Sequence, residues 1–126
     1  MTIAFWCVLI AAYLPIVWTA VAKFSGNFGL DENRNPREYL ETLSGWRKRA
    51  HWAQLNGFEA FPPFAAAVII AHFLRAPQAT INGLALAFIA LRILHGIFYL
   101  ADKASLRSVV WFAAVGCVIA IFIVAA

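Results

Sequence analysis

Charge is what this chain has least of. Asp, Glu, Lys and Arg make up 13% of its 126 residues and hydrophobic residues 63%, against about 25% and about 45–50% in soluble domains. Residues 2–22 and 108–126 contain no charged side chain at all. A soluble globular domain is thereby excluded, because about twenty apolar residues suffice to cross the roughly 30 Å hydrocarbon core of a bilayer. Cysteine is nearly absent as well. Cys7 and Cys117 each lie alone in an apolar segment, which leaves no disulfide framework and no metal or redox spacing; both read as buried packing residues. The histidines, His51, His72 and His95, fall at different depths and share no zinc-ligand spacing, so no metal is expected. No basic stretch precedes the first apolar run, so that helix is expected to be retained and not cleaved as a signal peptide. The run also lacks a carboxylate, which removes the small four-helix multidrug exporters, whose key acid sits in the first helix.

What remains is a helical pattern. Two further apolar stretches, 50–74 and 79–101, are broken only by a few polar side chains. Backbone groups in hydrocarbon must be satisfied within the segment, which leaves helices as the spanning element. The expected fold is an all-α integral membrane protein, a four-transmembrane-helix bundle forming one domain over 1–126. Its helices are expected at roughly 2–23, 47–74, 79–101 and 106–126, with a cytoplasmic loop at 24–46. From Pro36 onward that loop suits either a short interfacial helix or a plain solvated segment. Lys23, Arg34, Arg37, Arg47, Lys48 and Arg49 lie in or beside the first loop, Lys103 and Arg107 in the third, and Arg75 alone in the second. The excess of cations puts the first and third loops in the cytoplasm and both termini on the other side. The net charge of +4 is spread over these loops, where anionic headgroups meet it; membrane lipids, and no nucleic acid, are the expected partners. A multi-pass protein of the bacterial inner membrane is expected, and no targeting signal conflicts with that.

Two charges break the apolar pattern. Glu59 and Arg92 each lie ten residues from a cytoplasmic helix end, taken at Arg49 and Asp102, or about 15 Å deep at 1.5 Å per residue. An ionisable side chain near the bilayer centre costs about 2.5–3.5 kcal/mol on insertion scales, so an ion pair between them is expected. Asn56, three residues before Glu59, shares its helix face; His95 and Tyr99 follow Arg92 at i+3 and i+7. Asn56 and His95 match in depth too, and Arg107 with Ser108 opens the fourth helix at the surface. Each has a bland reading alone: Asn56 as helix–helix glue, His95 as a core histidine, Tyr99 as an interface anchor, Arg107 as a positive-inside charge. Together they form a polar wedge with a cytoplasmic mouth, which suits a small anionic ligand that also carries an amine.

These residues resemble a known family, the MAPEG proteins (membrane-associated proteins in eicosanoid and glutathione metabolism), which include microsomal glutathione transferases. Segment 53–64, with Asn56, Glu59 and then Phe61-Pro62, resembles the family's helix-two signature. Arg92, His95 and Tyr99 resemble its helix-three signature, and Arg107-Ser108 its helix-four start. The resemblance covers essentially the whole chain. It implies a homotrimer with sites between subunits and glutathione as co-substrate, held by Gln54, Asn56, Glu59, His95, Tyr99, Arg107 and Ser108. Arg107 would hold the thiol as thiolate, with Ser108 as a hydrogen-bond donor. A thiol of pKa about 8.5 is mostly protonated at neutral pH, and a guanidinium beside it lowers that value. The implied activity is that of a glutathione transferase or peroxidase acting on lipophilic electrophiles that arrive from the lipid.

The sequence departs from the family pattern in places. Trp52 and Leu55 stand where members often or sometimes carry Arg, helix one ends in a single Lys23, and Trp111 replaces a tyrosine. Arg49 or Lys48 is then expected to reach the glutathione carboxylates. The alternative is a non-catalytic lipid-binding or scaffold member of the family, which the more apolar mouth made by Trp52 and Leu55 suits.

Overall fold

Helix α1 spans Ile3–Phe24 and starts where Thr2 Oγ1 accepts a hydrogen bond from the Phe5 amide at 3.3 Å. A second amide of its first turn, Ala4 N, donates to Asn82 Oδ1 at 3.0 Å, so a side chain of another helix satisfies part of this end. The computed structural model describes residues 1–126. After α1 come a 3-10 turn at Glu32–Arg34, α2 at Pro36–Thr42, α3 at Gly45–Phe73, α4 at Gln78–Leu100 and α5 at Ala104–Ala125. The segment from Pro36 is therefore a helix, opened by a proline whose missing N–H is no loss in a first turn. Helices α1 and α3 run unbroken through Pro15 and through Pro62 and Pro63.

The two tight turns share one device. At the end of α3, Ala76 N donates to Ala71 O and Arg75 N to His72 O, with Arg75 at φ 56°. At the end of α4, Lys103 N donates to Phe98 O and Asp102 N to Tyr99 O, with Asp102 at φ 57°. Both are Schellman caps, in which one left-handed residue lets two amides close the last turn. They make α3–α4 and α4–α5 antiparallel hairpins. Arg49 completes the second cap: its Nε donates to Tyr99 O at 2.9 Å and its Nη2 to Leu100 O at 3.0 Å.

Helices α3 and α4 form the middle of the bundle, and α1 and α5 each pack against both. The contacts of α1 depend on missing side chains. A Cβ at Gly96 would lie 2.1 Å from Trp18 Cζ2, and one at Gly57 would lie 2.8 Å from Pro15 Cγ. Alanines 4, 11, 67, 71, 85 and 114 line the same core, as expected where backbones approach closely without a hydrophobic driving force between helices. Phe64 and Phe88 fill its centre as a stacked pair, ring centroids 3.9 Å apart. A smaller cluster of Ala22, Leu40 and Ala50 docks α2 against the end of the bundle where α1 finishes and α3 begins.

Three helices, α1, α4 and α5, are long and apolar enough to cross a membrane. Helix α3 is the longest at 29 residues, but Arg47, Lys48, Arg49, Gln54, Asn56 and Glu59 dilute its hydropathy. Composition thus marks three spans where the sequence reading expects four.

Candidate functional site

The residues expected to form one wedge are distributed over three places. The first is an aromatic and cationic cluster at the turn between α4 and α5. His95 meets the Tyr99 ring edge to face at 5.1 Å, and the Arg107 guanidinium lies 4.4 Å from the centre of the same ring. A guanidinium over an aromatic face is worth about 0.5–1 kcal/mol when exposed, enough to favour one direction for Arg107. No carboxylate pairs with it, since the ion pairs of this chain are Lys48–Glu41 and His51–Glu41. Ser108, next along α5, donates its hydroxyl to Ala104 O at 3.1 Å. To serve a thiolate it would have to release that carbonyl.

The second place is a cavity of about 380 Å³ between α3, α4 and α5. Asn56, Glu59 and Arg92 supply its polar wall, and Trp111, Val115, Val118, Ile119 and Phe122 of α5 its apolar wall. Helical spacing puts Arg107 one turn before Trp111, on the same face. The cationic cluster therefore stands above a largely apolar chamber.

Here the structure corrects the sequence reading. The expected Glu59–Arg92 ion pair does not form: no Glu59 oxygen comes within 4.0 Å of an Arg92 nitrogen. Arg92 Nη2 donates instead to Asn56 Oδ1 at 2.7 Å. The reason is angular. At about 100° per residue, two side chains three positions apart point about 60° from each other. Asn56 takes the direction toward α4, and Glu59 is left on the exposed side of α3. Arg92 is only 5% exposed and Asn56 half-buried. Their charge-assisted hydrogen bond is of the stronger kind, roughly twice a neutral one.

The third place is the mouth, where α2 lies on α3. His51 is buried, with Nδ1 3.1 Å from Gln54 Oε1 and Nε2 3.1 Å from Glu41 Oε1. Lys48 Nζ approaches Glu41 Oε2 at 3.1 Å and caps α2 through Leu40 O and Glu41 O. Hydrogen bonds from His51 and Lys48 hold the Glu41 carboxyl below the usual carboxylate range. Gln54 thus sits in a relay reaching back to the loop. Arg49, expected among the ligand contacts, is engaged by the α4 cap, and Lys48 by α2.

Sequence reasoning misses His51, Glu41 and the whole α5 wall. His51 precedes Gln54 by three residues, a helical neighbour, so its part was readable. Glu41 and the α5 wall carry no such signal, because one acts across a loop and the other is part of an apolar run, residues 109–126.

The arrangement offers a cation free of acids, an aromatic platform under it, a carboxylate and an amide on the cavity wall, and an apolar chamber open between helices. That combination fits a polar ligand group beside the cation and an apolar one in the chamber. Compared with known proteins, the sequence matches the model of the MAPEG family over residues 3–126, while no curated protein and no solved structure matches it. With essentially its whole length matched and three helices apolar enough to cross a bilayer, this integral membrane protein belongs to the MAPEG family.

Proposed function

We propose that the protein is a membrane-embedded glutathione-dependent transferase or peroxidase acting on lipophilic electrophiles. The observation that carries this reading is Arg107: a guanidinium without a carboxylate partner, seated on Tyr99 one turn above the apolar cavity. A cation so placed favours the thiolate over the thiol. The thiolate sulfur attacks the electrophilic carbon, a carbon–sulfur bond forms, and the leaving group departs with the bonding pair. With a hydroperoxide, two glutathiones become a disulfide while the peroxide is reduced to an alcohol and water. Asn56 and Glu59 suit the amine end of glutathione, and the α5 wall suits an apolar chain.

In this reading α3 is the fourth span and the working unit is a homotrimer. Glu59 supports both. Left facing lipid near mid-membrane, an ionised carboxylate costs about 2.5–3.5 kcal/mol, and a neighbouring copy or a bound amine removes that exposure.

The test is direct. Purified protein in detergent should conjugate an aryl halide, or reduce a lipid hydroperoxide, with glutathione. Arg107→Ala should lower the rate about 10²–10³-fold, the scale of losing one positioned group that stabilises developing or held negative charge. Absence of glutathione binding at millimolar concentration, read by thermal shift, would sink this reading. One observation favours a non-catalytic lipid-binding member instead. Arg49 and Lys48 are spent on helix ends, which leaves the mouth poor in cations for two carboxylates. Apolar ligand binding without turnover would establish it.

A further inference from the structure

Arg92 is the only lysine or arginine buried in this bundle, 5% exposed on a helix apolar enough to cross a bilayer. Its charge has no counter-charge in contact, since both ion pairs of the chain are made by Glu41. Asn56 accepts one hydrogen bond, from Nη2 at 2.7 Å, and carries no charge. A guanidinium presents five N–H donors in a rigid fork and stays protonated in proteins. Nε and Nη1 donate to no group of the chain, yet neither is an enclosed orphan, so both open onto free space. Two spaces touch Arg92. One is a void of about 10 Å³ against Pro15 and Trp18, with room for one water at most. The other is the chamber of about 380 Å³ walled by α5. Only the chamber can hold a charged partner.

We propose that this chamber binds a single-chain lipid acid: Arg92 receives the acid and the α5 wall receives the chain. This deepens the reading above by giving the lipophile a head group, and rests on that reading only where turnover is concerned. A carboxylate is planar and meets a guanidinium fork through two oxygens, a match that an alcohol, an ester or an amine lacks. The apolar wall fits the remainder. From Trp111 to Phe122 it follows α5 for about 16 Å at 1.5 Å per residue. Scaled from a cavity of about 150 Å³ that holds a benzene ring, the chamber suits about fifteen heavy atoms, or an acid of about twelve carbons. A two-chain lipid is too large for it. Glu59 lines the same chamber, but it is exposed and stands apart from Arg92. Its charge opposes the acid without blocking the Arg92 fork.

The experiment uses the full-length protein in nanodiscs of phosphatidylcholine, because an alkyl detergent would fill the chamber. Dodecanoic acid carrying a diazirine near its chain end is equilibrated with the protein, irradiated and located by mass spectrometry. Label should fall on residues 115–122 of α5. Unlabelled dodecanoate should displace the probe about tenfold better than dodecanol, methyl dodecanoate or dodecylamine, the size expected for one hydrogen bond to a charged group. This head-group comparison needs no variant, so it decides even where Arg92→Gln fails to fold. Where that variant folds, it should keep the label and lose the preference, and Glu59→Gln should strengthen acid binding. Equal displacement by all four heads overturns the proposal, and so does a preference for the amine or label outside α5. Loss of label in phosphatidylglycerol nanodiscs, to the extent that dodecanoate causes it, assigns the site to a phospholipid head and overturns it too. Glutathione binding is measured on the same nanodiscs. If the acid preference appears and glutathione does not bind, the functional reading fails and the acid site stands. If glutathione binds and all heads compete equally, the functional reading stands and the acid site fails.

Discussion

Gly96 and Gly83 sit on the same helix, yet their missing side chains do different jobs. The Trp18 indole, 9% exposed, occupies the place a Cβ on Gly96 would take, at 2.1 Å, while Gly83 has nothing within 4 Å. Gly96→Ala must therefore separate α1 from α4, because neither the helix backbone nor a packed indole can yield that far. Overpacking of this kind costs about 1–3 kcal/mol and at times more; the expected value is at the upper end, read as a fall in the unfolding temperature in detergent. Gly83→Ala should be neutral or stabilising by up to about 1 kcal/mol, from helix propensity alone. If the two alanines behave alike, the Trp18–Gly96 contact is not what holds α1 in place. The sequence announces neither difference, since a glycine shows its spacing and not its neighbour. Asn56 and Glu59 teach the same lesson with polar groups: spacing puts both near Arg92, and about 60° of azimuth decides which one meets it.

The ends of the helices were readable to within a few residues, because charge, proline and small polar residues punctuate an apolar chain. Their closing geometry was not. Schellman caps are usually signalled by glycine, and here Arg75 and Asp102 take the left-handed position. For most side chains that conformation costs about 1–2 kcal/mol, less for Asp, which can bond locally. Arg75→Gly should then stabilise the protein by about 0.5–1 kcal/mol, after allowing for the freer unfolded chain, and Asp102→Gly by less. Thermal unfolding of the two variants side by side checks the order. Helix α2 had two readings in the sequence, and its docking on α3 decides between them. The Glu41 carboxyl is held below its ordinary range by His51 and Lys48. A depressed carboxylate contributes its stabilisation above the unfolded value and loses it as pH falls through the folded one. Glu41 should thus help to hold residues 36–42 through neutral and mildly acidic pH and lose that contribution only below the usual carboxylate range, while Leu40 stays packed on Ala22 and Ala50. NMR order parameters of their amides measure this, and Glu41→Gln should show at neutral pH the modest loosening that the unaltered protein shows only in acid.

At the scale of the whole molecule, depth was legible and partnership was not. A constant rise per residue makes counting from Arg49 and Asp102 a fair ruler, so the levels of Asn56, Glu59, Arg92 and His95 follow from their positions in the chain. The ruler gives no information about which helix covers which. The α5 wall of the cavity therefore comes from packing alone. Orientation is the one global property that rests on the sequence. Six cations in or beside the first loop and two in the third stand against Arg75 in the second, and this asymmetry acts during insertion, ahead of any tertiary contact. The structure ties the same ends together: α2, Arg49, Tyr99 and Arg107 cluster at one end of the bundle, and Asn82 bonds the start of α1 at the other. A C-terminal alkaline phosphatase fusion expressed in a bacterial inner membrane should be active, and a green fluorescent protein fusion at the same point should be dark. The reverse pattern would put the free Arg107 on the side away from cytosolic glutathione, and the proposed reaction would then lack its co-substrate.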